Sequence, residues 1–257
     1  MNDTKNIKVS IIIPTYNRRE DLKKAIQSVL SQTEPSFEIL VCDDGSSDGT
    51  PEMVKAWPDP RVQLISGPRG GCPAVPRNRG LRYAKGEWIA FLDDDDAWIE
   101  NKIETQINAA NLHGKLVVSS NAYRIRGKSC KLFHLNKVPQ ELTDRHLLSN
   151  NYIITSSIII HNSIFKETPY FPEDKKFTAY EDYILWLYIS NKNPILYIDK
   201  PLVYYKDMPD CSIRSKAQGN DREIRRKIYK NFICWILKNK NISSLLPALY
   251  RYIKTFW

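Results

Sequence analysis

Long apolar runs, paired cysteines and glycine-rich nucleotide loops are all missing from this sequence. No run approaches the ~18 apolar residues that a bilayer-crossing helix needs. The polar start, Met1 to Lys8, has no signal-peptide pattern, and the expectation is a cytoplasmic chain. The five cysteines, Cys42, Cys72, Cys130, Cys211 and Cys234, are scattered and never spaced as CxxC. That argues against a disulfide framework or zinc site and for reduced thiols. Neither GxGxxG after the first strand nor GxxxxGK followed by Ser or Thr occurs, which excludes the dinucleotide fingerprint and the P-loop. Asp44-Gly45-Ser46-Ser47-Asp48-Gly49 imitates the start of a calcium loop, but Lys55 stands where the bidentate glutamate belongs.

What is present suits one large α/β domain with an appendage: 257 residues, 42% hydrophobic and 26% charged. The net charge of +9 is unevenly spread. Residues 214–257 hold eleven Lys/Arg against two Asp/Glu, so the whole excess lies in the tail and the rest is neutral. A neutral body with a basic tail points to a dedicated electrostatic contact rather than general nucleic-acid affinity.

Val9 to Ile13 reads as a buried parallel strand stopped by Pro14, and Arg19 to Ser31 has helical spacing. Strands are expected at Phe37–Cys42, Arg61–Ile65, Glu87–Leu92 and Lys115–Ser120. Helices are expected near 48–56, 74–84 and 97–112, with 66–76 a loop. This alternation predicts βαβ units and a mostly parallel, doubly wound sheet. Further strands are expected at Thr155–Ile160, Ile195–Ile198 and Leu202–Tyr205, and a helix at Tyr180–Ser190. Amphipathic helices should fill the tail. The expected division is 1–115, 116–213 and 214–257.

Asp93-Asp94-Asp95-Asp96 closes the apolar run Trp88 to Leu92. Like charges so close repel unless a cation intervenes, and hard divalent metals take oxygen ligands. An acidic turn can also be merely solvated, but strand ends of open α/β sheets are where ligands bind. Pro14-Thr15-Tyr16-Asn17 and Asp43-Asp44 end the first two strands and should share that crevice. There a ring could stack on a nucleobase and a carboxylate accept its N–H. The competing reading makes them a turn and a helix cap. Glu181-Asp182 could likewise simply complement a helix dipole.

Together these motifs, with Arg77-Asn78-Arg79-Gly80, Gly86 to Asp96 and Glu181-Asp182-Tyr183 before Leu185-Trp186-Leu187, resemble the family 2 inverting glycosyltransferases of the GT-A fold. The resemblance runs from about residue 8 to 206 and matches in order and spacing. It implies that Tyr16 lies against a uracil, Asp44 takes its N3–H, and the strand-one segment with Pro14, Thr15 and Asn17 assists. It implies that Asp95 is the main ligand of Mn²⁺ or Mg²⁺ on a diphosphate, Asp93 assists at the metal or the ribose, Asp94 meets the ribose, and Asp182 is the general base. Within the acidic run the ligand set stays open. Asp43, Arg77 and Arg214 are further donor-binding candidates, and Trp98 is a candidate wall of the sugar pocket. His161 and Trp186 read as structural.

The expected function is transfer of a hexose, glucose or galactose, from its UDP carrier to a glycan hydroxyl with inversion. The expected acceptor is an undecaprenyl-diphosphate-linked surface-polysaccharide intermediate. The enzyme would rest peripherally on the inner leaflet and bind no nucleic acid; its basic tail packs on the catalytic body, lies on anionic lipid, or does both. Two alternatives remain at this stage. A sugar-nucleotidyltransferase would want a glycine-rich loop after strand one. A non-catalytic binding module would have no use for Asp182.

Overall fold

The computed structural model describes residues 7–208 and 221–256. The first half alternates strands β1 (Val9–Thr15), β2 (Phe37–Asp43), β3 (Val62–Ser66) and β4 (Trp88–Phe91) with helices α1 (Arg19–Leu30), α2 (Thr50–Lys55) and α3 (Ala74–Tyr83). The second half holds β5 (Ala97–Trp98), α4 (Lys102–His113), β6 (Val117–Arg126), β7 (Ser129–Leu132), β8 (Glu141–Leu142), α5 (Asp144–Ser149), β9 (Ile159–His161), α6 (Glu181–Lys192) and β10 (Ile195–Lys206). Helices α7 (Asp221–Lys238) and α8 (Leu245–Ile253) follow.

One sheet joins both halves in the order β3-β2-β1-β4-β9-β6-β10-β5. The pairs β3–β2, β2–β1, β1–β4 and β6–β10 are parallel. β9 runs antiparallel between β4 and β6, and β5 runs antiparallel to β10. The strand period of two sends Ile11, Ile13, Ile39 and Val41 to the face covered by α1 and α4. It sends Ile12, Leu40 and Cys42 to the face covered by α3 and α6. Both faces are buried, so β1 and β2 are mostly apolar, and their inner polar side chains pair, Ser10 Oγ donating to Glu38 Oε1 at 2.6 Å. Gly80 shows how closely α3 lies on the sheet: a Cβ there would meet Ile12 Cγ2 and Cys42 Sγ at 2.7 Å.

Four expectations are corrected. Pro14 does not end β1: it pairs with Cys42 of β2. The β1–β4 ladder stops at Ile12, so the missing N–H of Pro14 falls beyond the end of β4 and costs no bond. The helix expected from Ala97 begins only at Lys102, because Ala97 and Trp98 pair with Tyr204 and Val203. Thr155–Ser157 is a 3₁₀ turn, and the strand starts at Ile159. The two short strands expected after Ile195 are one, β10, whose pairing with β6 shifts register on either side of Pro201.

The tail begins as a packed element. Ile224, Ile228, Tyr229, Phe232 and Ile236 of α7 are buried in the core beneath α6. Tyr188 of α6 stacks on Trp235 at 4.8 Å between ring centroids.

Candidate active site

The carboxyl ends of β1, β2 and β4 open along one edge, so the loops after them share a crevice. After β1, Asn17 adopts a left-handed backbone, φ 51°. Its N–H donates to Ser46 Oγ at 2.9 Å, and its Oδ1 accepts from Ser47 N at 2.8 Å, tying the first loop to the second. Asp43 turns back on its own loop and accepts from the N–H groups of Gly45 and Ser46 at 3.1 and 3.2 Å. Asp44 faces across the crevice. Its two oxygens accept from Gly70 N at 2.8 Å and Gly71 N at 3.0 Å. The same glycine loop carries Arg69, whose guanidinium lies 3.5 Å from the centroid of the Tyr16 ring. Arg79 holds this loop down through Pro68 O at 2.9 Å and grips Asp43 O at 2.6 Å.

The acidic turn alternates in and out. Asp94 and Asp96 are buried, whereas the side chains of Asp93 and Asp95 stay 30% and 26% exposed. Asp94 accepts from Thr15 Oγ1 at 2.8 Å and Arg18 Nη1 at 3.3 Å. Burial pushes its carboxyl up to about 7 against the pull of Arg18. Asp95 accepts from the same Arg18 nitrogen. Its carboxyl is raised by burial and then by the neighbouring charge of Asp93. Asp96 is an internal anchor: it accepts from Ser156 Oγ and from Lys206 N at 2.8 Å, and burial raises it well above the carboxylate range. Ser156 Oγ in turn accepts from Asp93 N at 3.0 Å, fixing the start of the turn.

The second acidic centre opens α6. Arg77, only 4% exposed, spans the two centres. Its Nη2 donates to Asp93 Oδ1 at 2.6 Å and its Nη1 to Glu181 Oε1 at 2.9 Å. Glu181 Oε2 and Arg77 Nε have no hydrogen-bond partner. Burial raises Glu181 to about 7, with Arg77 pulling it down and Asp182 pushing it further up. Asp182 remains partly exposed. Its Oδ2 accepts from Thr155 Oγ1 at 2.8 Å and its Oδ1 from Tyr183 N at 2.6 Å. Burial raises its carboxyl too, with Arg77 opposing. A carboxylate with a raised pKa that still faces a cleft is suited to accept a proton.

Hydrogen bonds thus link Thr15 to Asp94, Arg18 to Asp94 and Asp95, and Arg77 to Asp93 and to Glu181 beside Asp182, with Tyr16, Asn17 and Asp44 on the loops alongside. Pro14 is buried in the strand beneath, and Asp43 serves its own loop. Arg214 lies outside the described residues. Trp98 is turned into the core, where its Nε1 donates to Ser156 O at 2.8 Å, so it is no sugar wall. Trp186 is fully buried, and His161 bonds Ser163. Five contributors escaped the motif reading: Arg18, Arg69, Thr155, Ser156 and the pairing of Glu181. Arg18 directly follows a quoted motif, and Glu181 lies inside one. Thr155 and Ser156 stand in an apolar run that reads as plain strand.

The donor chemistry fits a hard divalent cation. Asp93 and Asp95 are two partly open carboxylates that crowd one another. Among the described residues no cluster of three or more His, Cys, Asp or Glu forms a closed metal cage. Two carboxylates with the remaining positions left to phosphate and water is the mode in which Mg²⁺ is commonly held.

Residues 10–168 match the family model described as glycosyl transferase family 2. The chain is 37% identical over 193 residues to the UDP-Glc:alpha-D-GlcNAc-diphosphoundecaprenol beta-1,3-glucosyltransferase WfgD of Escherichia coli. That match covers 73% of this chain and 71% of the relative. Some other relatives are longer, and the match spans 33% of their length. Among solved structures, S. aureus TarS 1-349 in complex with UDP-GlcNAc superposes with a TM-score of 0.75 at 23% identity, covering 96% of this chain and 73% of that one. The mannosyltransferase PcManGT from Pyrobaculum calidifontis, in complex with GDP-Man and Mn²⁺, superposes at 0.64 with 16% identity, covering 96% and 72%. These two share the GT-A-like α/β fold.

Proposed function

The chain belongs to glycosyl transferase family 2, and from that membership we propose that it moves glucose from UDP-glucose to a hydroxyl of a lipid-linked glycan with inversion, giving a β-linkage. The observation that most supports this reading is the placement of Arg77. One buried guanidinium touches Asp93 of the acidic turn and Glu181, next to Asp182. A carboxylate of the acidic turn and the neighbour of the proposed base therefore share one guanidinium. A pure binding module has no need of that base.

In this reading residues 1–115 hold the donor, 116–213 shape the acceptor side and 214–257 form the tail. Tyr16 stacks on the uracil, and Asp44, whose two oxygens each accept one glycine N–H, has lone pairs left to accept its N3–H. Pro14, Thr15 and Asn17 fix the geometry of that wall, Asp43 shapes the loop beside it, and Asp94 takes a ribose hydroxyl. Asp93 and Asp95 would hold Mn²⁺ or Mg²⁺, which when bound offsets the charge that develops on the departing diphosphate. Arg214 is assigned to the diphosphate as well.

Asp182 takes the proton from the acceptor hydroxyl as that oxygen attacks the anomeric carbon from the face opposite the diphosphate. One displacement with one base inverts the centre and forms no covalent enzyme intermediate. Thr155 Oγ1, donating to Asp182 Oδ2, keeps the carboxylate aimed at the cleft. Burial that raises the pKa of Asp182 strengthens it as a base.

The relative named for a GlcNAc-diphosphoundecaprenol substrate favours an acceptor of that class. No helix among the described residues is long and apolar enough to cross a membrane, so contact with the acceptor's membrane is assigned to the surface of the fold. Two measurements test the proposal: transfer of radiolabelled glucose from UDP-glucose to a GlcNAc-diphospholipid, and UDP binding by calorimetry. Asp182→Asn should abolish transfer and leave UDP binding intact. Near-normal turnover in that variant overturns the assignment of the base.

A further inference from the structure

The last helix, α8, is apolar on two sides. Ala248 is fully buried, and Leu245 and Tyr252 pack against the core. Leu246, Tyr250, Ile253 and Phe256 point the other way and are 77%, 55%, 55% and 55% exposed. Their spacing of four, three and three residues places them in one stripe along the helix and its short 3₁₀ extension, Lys254–Phe256. Four large apolar side chains in a row form a patch, unlike the scattered single exposures of an ordinary surface.

Cations flank this stripe. Lys254 Nζ lies 4.8 Å from the Tyr250 ring centroid, and Arg226 Cζ lies 3.9 Å from that of Phe256. Arg251 sits on the same helix and reaches Ser149. From Ile224 to Trp257 the sequence holds eight Lys/Arg and not one Asp or Glu. Aliphatic and aromatic side chains rimmed by long cationic ones are what an interfacial helix presents: the apolar groups enter the acyl boundary while the cations remain among the headgroups.

We infer that this outer stripe of α8, with Arg226 and Lys254, is the surface by which the enzyme lies on an anionic lipid leaflet. Charge selects that occupant over a second copy. A two-fold self-contact would press this cationic rim against itself, whereas phosphate headgroups neutralise it. The biological sense of the surface rests on the proposed lipid-linked acceptor, but its physical basis does not.

The test uses the full chain and vesicles of phosphatidylcholine with 30% phosphatidylglycerol, without sugar nucleotide or acceptor. Wild type should float with these vesicles and bind pure phosphatidylcholine far more weakly. Leu246→Glu, Tyr250→Glu and Ile253→Glu together should abolish flotation. Lys254→Gln alone should weaken binding about fivefold, since each cation near such a surface contributes about that factor. All four side chains point away from the core, and circular dichroism checks that the variants fold. In parallel, the triple variant should keep wild-type transfer to a short-chain, detergent-free soluble acceptor. The membrane surface is overturned if wild type stays unbound to the anionic vesicles, or if the triple variant floats as well as wild type. It is equally overturned if sedimentation velocity shows a dimer that the three glutamates dissociate. Failure of wild type to transfer glucose while it still floats with the anionic vesicles would instead count against the proposed function and leave the surface standing.

Discussion

Replacing Arg77 by methionine isolates the charge balance at the centre of the site. The guanidinium is 2.9 Å from Glu181 Oε1 and 2.6 Å from Asp93 Oδ1. Asp93 is partly solvated and can find water, but Glu181 is 3% exposed and one of its oxygens already lacks a partner. Removing one member of a buried ion pair is costly chiefly through the charge left behind. That cost must depend on pH. Burial raises the folded-state pKa of Glu181 from the ordinary 4.5 to about 7 even with Arg77 present, and without Arg77 it rises further. Between those values the folded protein holds one more proton than the unfolded chain. Stability therefore falls as pH rises, by ~1.4 kcal/mol per pH unit. Below about pH 4.5 both states are protonated and the penalty is absent. Above the folded pKa it is fully present.

Arg77→Met should therefore be nearly harmless to stability at pH 5.5, where Glu181 keeps its proton in both proteins, and cost up to ~2 kcal/mol at pH 8.5, ~1.4 kcal/mol for each pH unit above the wild-type value of about 7. For a chain of this size that is a drop in Tm of roughly 4–8 °C. Thermal unfolding followed by circular dichroism at the two pH values measures it. Adding Glu181→Gln to Arg77→Met should recover at least half of the loss at pH 8.5 and flatten the pH dependence. An equal fall in Tm at both pH values, or a deeper loss in the double variant, would refute the reasoning.

Other outcomes follow from single contacts. Thr155→Val removes the hydroxyl that donates to Asp182; it should lower kcat about tenfold, as befits a ~1.5 kcal/mol bond to a charged group, and leave KM for UDP-glucose unchanged in steady-state assays. Asp95→Ala should abolish the enhancement of UDP binding by Mn²⁺ in calorimetry, while metal-free UDP binding stays within a few-fold of wild type. Lys102 is fully buried, with its Nζ 2.7 Å from Gln106 Oε1 and 4.0 Å from the Trp98 ring centroid, and burial drives its pKa well below 10.5. The unfolded chain then binds the extra proton, so this lysine destabilises the fold more as pH falls. Lys102→Met should raise Tm more at pH 6 than at pH 9, where the lost bond to Gln106 offsets the gain. A larger gain at pH 9 in differential scanning calorimetry would contradict this.

The first half of the fold was legible because its signals are local. Apolar runs at 9–13, 37–42 and 88–92 lie between helical periods, and the crevice follows from where those strands end. The acidic turn could be found the same way, but its alternation could not. Asp94 and Asp96 face inward because Thr15, 79 residues away, and Lys206, 110 residues away, meet them there. No periodicity encodes such pairings. Ala97–Trp98 reads as the start of a helix until Val203 and Tyr204 arrive beside it. Thr155 and Ser156 pass for strand residues in an apolar run, although their hydroxyls serve Asp182, Asp96 and Asp93. In the tail the helical period is plain, but α8 is apolar on both sides, so spacing alone does not say which side faces the core.

The glycine loop over Asp44 and Tyr16 makes the chain its own rival for that crevice. Its guanidinium presents a flat face to the ring, as an incoming nucleobase would have to, and its two peptide N–H groups bond the carboxylate. On the proposed function, a donor that stacks on the Arg69 side of Tyr16 must displace that guanidinium, and its affinity is discounted by the fraction of time the ring is covered. The same rivalry works in the other direction after transfer: spent UDP leaves a slot that Arg69 can refill, so tight recognition need not become slow release.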